Sequence, residues 1–389
     1  MDKSSFIDRD VIRIHVPQEE IEARRTLMSD CMRLRNRRAP AIIFADPPFY
    51  TKVGGIRLQD TYDSPEVMIR GQLLGWKRIL ETIDCDVPGV GVGLEFGSFL
   101  SASNYGCEVV EQPGSVPGWR PWFRGEEDLA KLERIDSHTS GVQGRAVEFY
   151  HRYQELADRF PVQYDGGEVF CPVRETRLGT STEGAFTVAC MIAGFEQVSL
   201  WCYDQPSLVK RMVEIIAQKE IERIQDAFRI MGERPSPIGM ADDYSPYLSL
   251  AMYEEFVLPY QKIVRDAFGS TTGFHSCIGD PKLLRHWRDD LRITVFNGFK
   301  PRRGLASLRE DYTPVAREMS GRLVLEPDLD GCKVMVASED DLKRAVEECL
   351  EVFGPAKGIK ICATLCGGHH VDDMQKMNVI KKTILASAV

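Results

Sequence analysis

The 389-residue chain has no apolar run approaching the roughly 18 residues that a membrane-crossing helix needs. Its opening stretch, MDKSSFIDRDVIRIHV, lacks the apolar centre of a secretory signal. Long Lys/Arg runs are also missing, and the formal net charge is −9, which argues against a broad nucleic-acid or anionic-membrane surface. These absences predict a cytoplasmic protein with no membrane and no nucleic-acid partner. There is no internal repeat, no low-complexity tract and no Pro/Gly/Ser-rich linker. No Gly-rich nucleotide loop follows any candidate strand, since GVGVGLEFG from Gly89 lacks the dinucleotide spacing. The 11 cysteines are no disulfide framework in a chain this long. In a reducing compartment most should be small buried hydrophobes, with a few left to ligate metal.

What is present is ordinary globular composition, 43% hydrophobic and 28% charged, with amphipathic helices alternating with short apolar runs. In SPEVMIRGQLLGWKRILETI, Ser64 is placed to cap and Pro65 to open a helix, and Val67, Met68, Leu73, Leu74, Ile79 and Leu80 recur at helical spacing. The stretch QPSLVKRMVEIIAQKEIERIQDAFRIM reads the same way. Ser338 and Asp341 begin SEDDLKRAVEECLEVFG as a capping pair, and Gly354 is placed to end it. The strand candidates are AIIFA from Ala41, ITVFN from Ile293, RLVLE from Arg322 and IKICATL ending at Leu365. Strand–helix alternation without a linker predicts a single (β/α)8 (TIM) barrel over residues 41–389, preceded by a helical extension over residues 1–40.

The chemistry concentrates at strand ends. His275 and Cys277 follow one short strand, and Cys366 follows IKICATL. Barrel active sites lie at the C-terminal ends of strands, so the three side chains belong on one catalytic face. One imidazole and two thiolates are donors that zinc favours, and three protein ligands leave a position open for chemistry. MADDYSPY, at another strand end, brings Asp242, Asp243 and Tyr244 near the mouth. Asp242 is the choice for substrate orientation or proton transfer, a helix N-cap or a loop salt bridge being its structural alternatives, and Tyr244 is a candidate acid.

DDYSPYLSLAMYEEFVLPYQKIVRDAFGSTTGFHSCIGDPKLLRHW resembles the central segment of the uroporphyrinogen decarboxylase superfamily. SEDDLKRAVEECLEVFG and GIKICATLCG resemble its closing helix and strand, and GAFTVACMIAGFEQVSLWCYDQPSLVKRMVEII its middle. The likeness runs from about residue 160 to the C-terminus. His-x-Cys followed by a later Cys resembles the zinc methyltransferase branch that works with corrinoid proteins, such as methylcobalamin:coenzyme M enzymes. That resemblance implies His275, Cys277 and Cys366 as zinc ligands, with the corrinoid (methylcobalamin) carried on a separate protein. It implies methyl transfer in one-carbon metabolism between that corrinoid and a thiol or a methylated small molecule, O-demethylation included. The arginine-rich segment of true decarboxylases is absent: the corresponding run reads FADPPFYTKVGG. A decarboxylase and a non-catalytic corrinoid- or tetrapyrrole-binding barrel are the alternatives.

Two positions depart from that pattern. The glycine expected after His-x-Cys is displaced to Gly279, and Asn297 stands where coenzyme M enzymes carry an acidic fourth ligand. Glu326 and Asp328 are substitutes for it. His369 and His370 cap or solvate the turn after the last strand, or else support the metal ligands or serve as an alternative ligand, and Cys362 reads as core. VPGWRPWFRG from Val116 lines a lid or packs a loop. DSHTSG, Asp136 to Gly141, matches the cobalt-ligating motif of corrinoid proteins but lies between helical stretches, and is read as accidental.

Overall fold

The computed structural model describes residues 11–299, 308–354 and 356–387. Eleven strands run in chain order: β1 (Ile12–Pro17), β2 (Ala41–Ala45), β3 (Glu108–Val110), β4 (Gly118–Arg120), β5 (Val162–Asp165), β6 (Ser181–Thr182), β7 (Ile238–Ala241), β8 (Thr271–His275), β9 (Val295–Phe299), β10 (Val324–Leu329) and β11 (Ile361–Leu365). Seven of them follow the order β2-β11-β10-β9-β8-β7-β6, and the registered pairs among these are parallel. This is the helix-connected α/β architecture expected from the alternation. Among the described residues the sheet counts seven strands, so the eighth strand and the closure of the expected barrel are not part of it.

The chain gathers into two compact units. The first takes residues up to Glu95, Phe149–Arg177 and Phe299 onward, and the second takes Phe96–Glu148 and Leu178–Gly298. In the first, the segment before residue 41 holds more than the expected helix. Helix Gln18–Met32 follows β1, which pairs in parallel with β5. Residues 1–10 of the expected extension lie outside the described residues. Pro65–Thr82 is helical, with Val67 N donating to Ser64 Oγ at 3.3 Å, and it buries Met68, Leu73, Ile79 and Leu80. Gly75 lets this helix touch Pro47–Val53, since a Cβ there would sit 2.5 Å from Tyr50 Cβ. Glu339–Phe353 carries the full capping box of Ser338 and Asp341, and Gly354 ends it at φ 89°.

In the second unit, the long helix Pro206–Ile230 buries an ion pair, Arg223 Nη2 to Glu220 Oε2 at 2.8 Å. Arg223 also donates to the carbonyls of Gly179 (3.1 Å) and Ser181 (2.6 Å), fixing the start of β6. The VPGWRPWFRG stretch packs a loop. Its β4 pairs with β3, Trp119 donates to Met191 O at 3.1 Å, and Trp122 donates to Tyr105 O at 2.6 Å. No single described helix is long and apolar enough to cross a membrane.

Entry into β2 depends on Asp86. Its buried carboxylate takes a bidentate pair from Arg38 (2.6 and 2.9 Å) and the N–H of Ala41 (2.8 Å). Burial pushes this carboxyl up, but the Arg38 and Ala41 bonds outweigh it, and the group lies below the usual carboxylate range. Asp86→Ala should cost about 3–5 kcal/mol at neutral pH, because Arg38 is left without its anion. A lowered folded value means stability that is present above the unfolded value, about pH 4, and lost as pH falls through the folded one. Denaturant titrations should therefore show the wild-type advantage over Asp86→Ala shrinking below about pH 4. A gap unchanged from neutral pH to strong acid would refute the ionic role.

Candidate metal centre

β8 alternates between two environments. Phe274 is buried and stacks on Trp287 at 4.5 Å, within a group that also holds Phe296. His275, the next residue, turns to the opposite face and ends the strand. Parallel register sets Asn297 of β9 beside it and Ala241 of β7 on its other side. Asn297 Oδ1 lies 2.6 Å from His275 Nδ1, so Nδ1 is the donor there and Nε2 is the nitrogen turned towards Cys277. A hydrogen-bonded Nδ1 is how ligating imidazoles are commonly oriented. Asn297 thus stands at the expected position with a different task, holding the imidazole.

The loop after His275 lies directly on β9. Ser276 N donates to Asn297 O at 3.0 Å. Gly298 has φ 136°, and a Cβ there would meet Ser276 O at 1.8 Å; Gly279 has φ 60°, and a Cβ there would meet Gly298 O at 2.5 Å. The displaced glycine is therefore needed where it stands, because two backbones touch there. The turn presents Cys277 at the surface, its Sγ 3.4 Å from His275 Nε2. Its N–H donates to Asp243 Oδ1 at 2.7 Å.

Asp242 and Asp243 follow β7 and face different surroundings. Asp242 is fully buried and accepts from Thr187 Oγ1 (3.1 Å), Ser245 N (3.1 Å), Ser245 Oγ and Gln261 Nε2 (2.6 Å). Burial pushes its carboxyl up to about 6 against the bonds from Ser245 and Thr187, and the charge of Asp243 adds to the rise. Asp243 is half-buried and is the carboxylate that meets the histidine, its Oδ1 3.8 Å from His275 Nε2. Tyr244 is half-buried and stacks on Phe195 at 5.2 Å. Burial raises its hydroxyl above the usual phenol value, so it stays protonated. Glu183, just past β6, is pushed up to about 7 by burial, with the charges of Asp243 and Glu220 adding to it and Arg223 opposing.

One ligand atom each from Asp243, His275 and Cys277 lies within 4.8 Å of the other two. An imidazole nitrogen, a thiolate and a carboxylate are all zinc donors. Tetrahedral bonds of about 2.0–2.3 Å put a nitrogen and a sulfur ligand about 3.5 Å apart, close to the 3.4 Å between His275 Nε2 and Cys277 Sγ. The donor set fits the metal. His275 and Cys277 are the two of these that the sequence singles out. Asp243 is not told apart from Asp242 in the sequence, because the burial that separates the two depends on Thr187 and Gln261, far along the chain.

Cys366 belongs to the first unit, after β11. Its turn is stapled by His369, which is fully buried: Cys366 N donates to His369 Nδ1 at 2.9 Å, and His369 N donates to Cys366 O at 2.9 Å. Burial lowers the His369 pKa, so the ring is neutral and can accept that bond. Gly331 makes room for the thiol, since a Cβ there would come 2.5 Å from Cys366 Sγ. His370 caps the following turn together with Asp373. Glu326 is engaged by Lys360 in a buried ion pair, Asp328 is buried on β10, and Cys362 is buried in β11. His138 lies between helices Leu129–Arg134 and Gln143–Leu156, its Nδ1 3.0 Å from an Asp226 oxygen.

Asp242 and Asp243 should separate under mutation. Asp242→Ala leaves several buried donors without an acceptor and should cost about 3 kcal/mol or more. Asp243→Ala should stay within about 1 kcal/mol of wild type, since its carboxylate is partly solvated. Urea titration of both variants decides this, and equal stabilities would overturn the assignment of Asp242 as a packing hub.

The profile of the uroporphyrinogen decarboxylase (URO-D) family matches residues 38–379. No curated protein matches the chain significantly in sequence. Among solved structures, a methyltransferase from Methanosarcina mazei superposes with a TM-score of 0.64 at 15% identity, covering 94% of this chain and 99% of that one. At that identity the likeness is one of fold. With a profile spanning most of its length, the chain belongs to the uroporphyrinogen decarboxylase family.

Proposed function

We propose that the protein is a zinc-dependent methyltransferase that moves methyl groups between a corrinoid on a separate protein and a thiol or methylated small molecule. The observation that carries this reading is the meeting of His275 Nε2 and Cys277 Sγ at 3.4 Å, with the imidazole turned outward by Asn297. The family and the fold of the Methanosarcina mazei methyltransferase support it. The parallel strand order supports the closed (β/α)8 barrel as the finer architecture. Cys366 is proposed as the further thiolate ligand on the strength of its place after β11 and the sequence likeness around it.

Bound zinc would let a coordinated thiol ionise near neutral pH, or would draw electrons from the leaving group of a methylated substrate. The chain's own groups prepare for that chemistry. Asn297 fixes the imidazole tautomer, and the Cys277 N–H tethers the Asp243 carboxylate. Tyr244 keeps its proton and is placed one residue from Asp243, so it is the proposed proton donor to a leaving oxygen or nitrogen. Asp242 positions this segment through its buried bonds.

The purified protein should contain about one zinc per chain, and Cys277→Ala or Cys366→Ala should lose it while staying folded. Elemental analysis with circular dichroism measures both, and zinc unchanged in the variants would remove these ligands from the reading. Demethylation of methylcobalamin by thiols, followed by absorbance, should fall to background on chelation and return with zinc. Zinc-independent carbon dioxide release from a tetrapyrrole carboxylate would instead favour a decarboxylase, the activity for which the family is named.

A further inference from the structure

We infer that Asp243 is itself a ligand of the metal, so that the second unit supplies a His–Cys–Asp set from the ends of two adjacent strands. This rests on the zinc reading above and adds to it a carboxylate ligand from β7, the strand before the histidine, in the position that a substrate thiol would take over or join as a fifth donor.

The geometry comes from register. Ala241 pairs with His275, and Asp242 N donates to His275 O at 2.9 Å, so the residue after Asp242 emerges level with the imidazole. Asp242 points into the protein, where Thr187, Ser245 and Gln261 hold it. Asp243 N in turn donates to Thr187 Oγ1 at 3.2 Å. The backbone is thus fixed on both sides of the side chain that reaches His275. In tetrahedral coordination, nitrogen and oxygen ligands lie about 3.3–3.4 Å apart. Asp243 Oδ1 is 3.8 Å from His275 Nε2, a few tenths of an ångström from that value.

Charge gives a second argument. Among the described residues Asp243 has no Lys or Arg partner, and His275 is the basic group within ion-pair reach. A carboxylate beside an imidazole and a thiol, with no Lys or Arg to pair it, leaves negative charge that a divalent cation would neutralise. Asn297 is neutral, and its oxygen is engaged at the imidazole Nδ1 rather than on the side of Nε2 and the Cys277 sulfur.

A simpler role must be separated from this one, since Asp243 also accepts the Cys277 N–H at 2.7 Å and could merely tether that loop. Asp243→Asn keeps an oxygen that can accept this bond but loses the anionic donor. Zinc affinity, measured on the full-length protein by competition with a chromophoric chelator, should fall about 10-fold or more in both Asp243→Asn and Asp243→Ala. In the cobalt(II)-substituted protein both variants should shift the visible ligand-field bands. Full affinity and an unshifted cobalt spectrum in Asp243→Asn, with loss only in Asp243→Ala, would overturn the ligand role and leave a tether. Wild-type affinity in both variants would overturn it too, while leaving zinc on His275 and Cys277. Absence of zinc binding by the wild type would sink the zinc reading itself and this inference with it.

Discussion

A carboxylate shut away from water needs a full set of donors, and Asp242 has one. Thr187, Ser245 and Gln261 each bond to it, and Tyr253 holds Gln261 in turn at 2.7 Å. These residues come from separate helices and turns, so the hub joins the helix after β6, the end of β7 and the helix Leu258–Phe268. Such a buried network stands or falls as a unit, because any unmatched member costs the desolvation of a polar group. With Asp242 committed inward, Asp243 faces the end of β8, where it meets His275 and the Cys277 N–H. The proposed chemistry depends on that division between two neighbouring aspartates.

The imidazole is set by a similar economy of position. Parallel pairing places Asn297 at His275, and a single bond at 2.6 Å chooses which nitrogen faces outward. Gly279 and Gly298 then allow the following loop to lie against β9, bringing the Cys277 sulfur back towards Nε2. None of these residues needs to touch a substrate to matter. They hold the imidazole and the thiol in place, which is the preorganisation that the proposed metal site requires.

Much of this was legible in the sequence. The helices beginning at Pro65 and Glu339 announce themselves through Ser64, Ser338 and Asp341, whose caps are local and survive in the folded protein. The buried strands β2, β10 and β11 read as short apolar runs for the same reason. His275 and Cys277 are a weak signal as a pair, since His-x-Cys arises readily by chance, and stand out through the later Cys366 and the family likeness around them. The partner-dependent features were not legible. β1 exists because β5 pairs with it, and nothing in IRIHVP names that partner. The choice between Asp242 and Asp243 turns on Thr187, 55 residues away, and Gln261, 19 away. Asn297 looked like a lost ligand, although register had given it to the histidine. The capping reading of His369 and His370 is met by the turn they hold, a local feature again.

The central claim is that His275 and Cys277 bind a zinc ion, and X-ray absorption at the zinc edge of the purified protein tests it most directly. The account predicts a mixed shell: a sulfur at about 2.3 Å together with nitrogen or oxygen near 2.0–2.1 Å, including the outer scattering of an imidazole ring. Zinc surrounded by oxygen and nitrogen alone, with no sulfur and no imidazole signature, would contradict it.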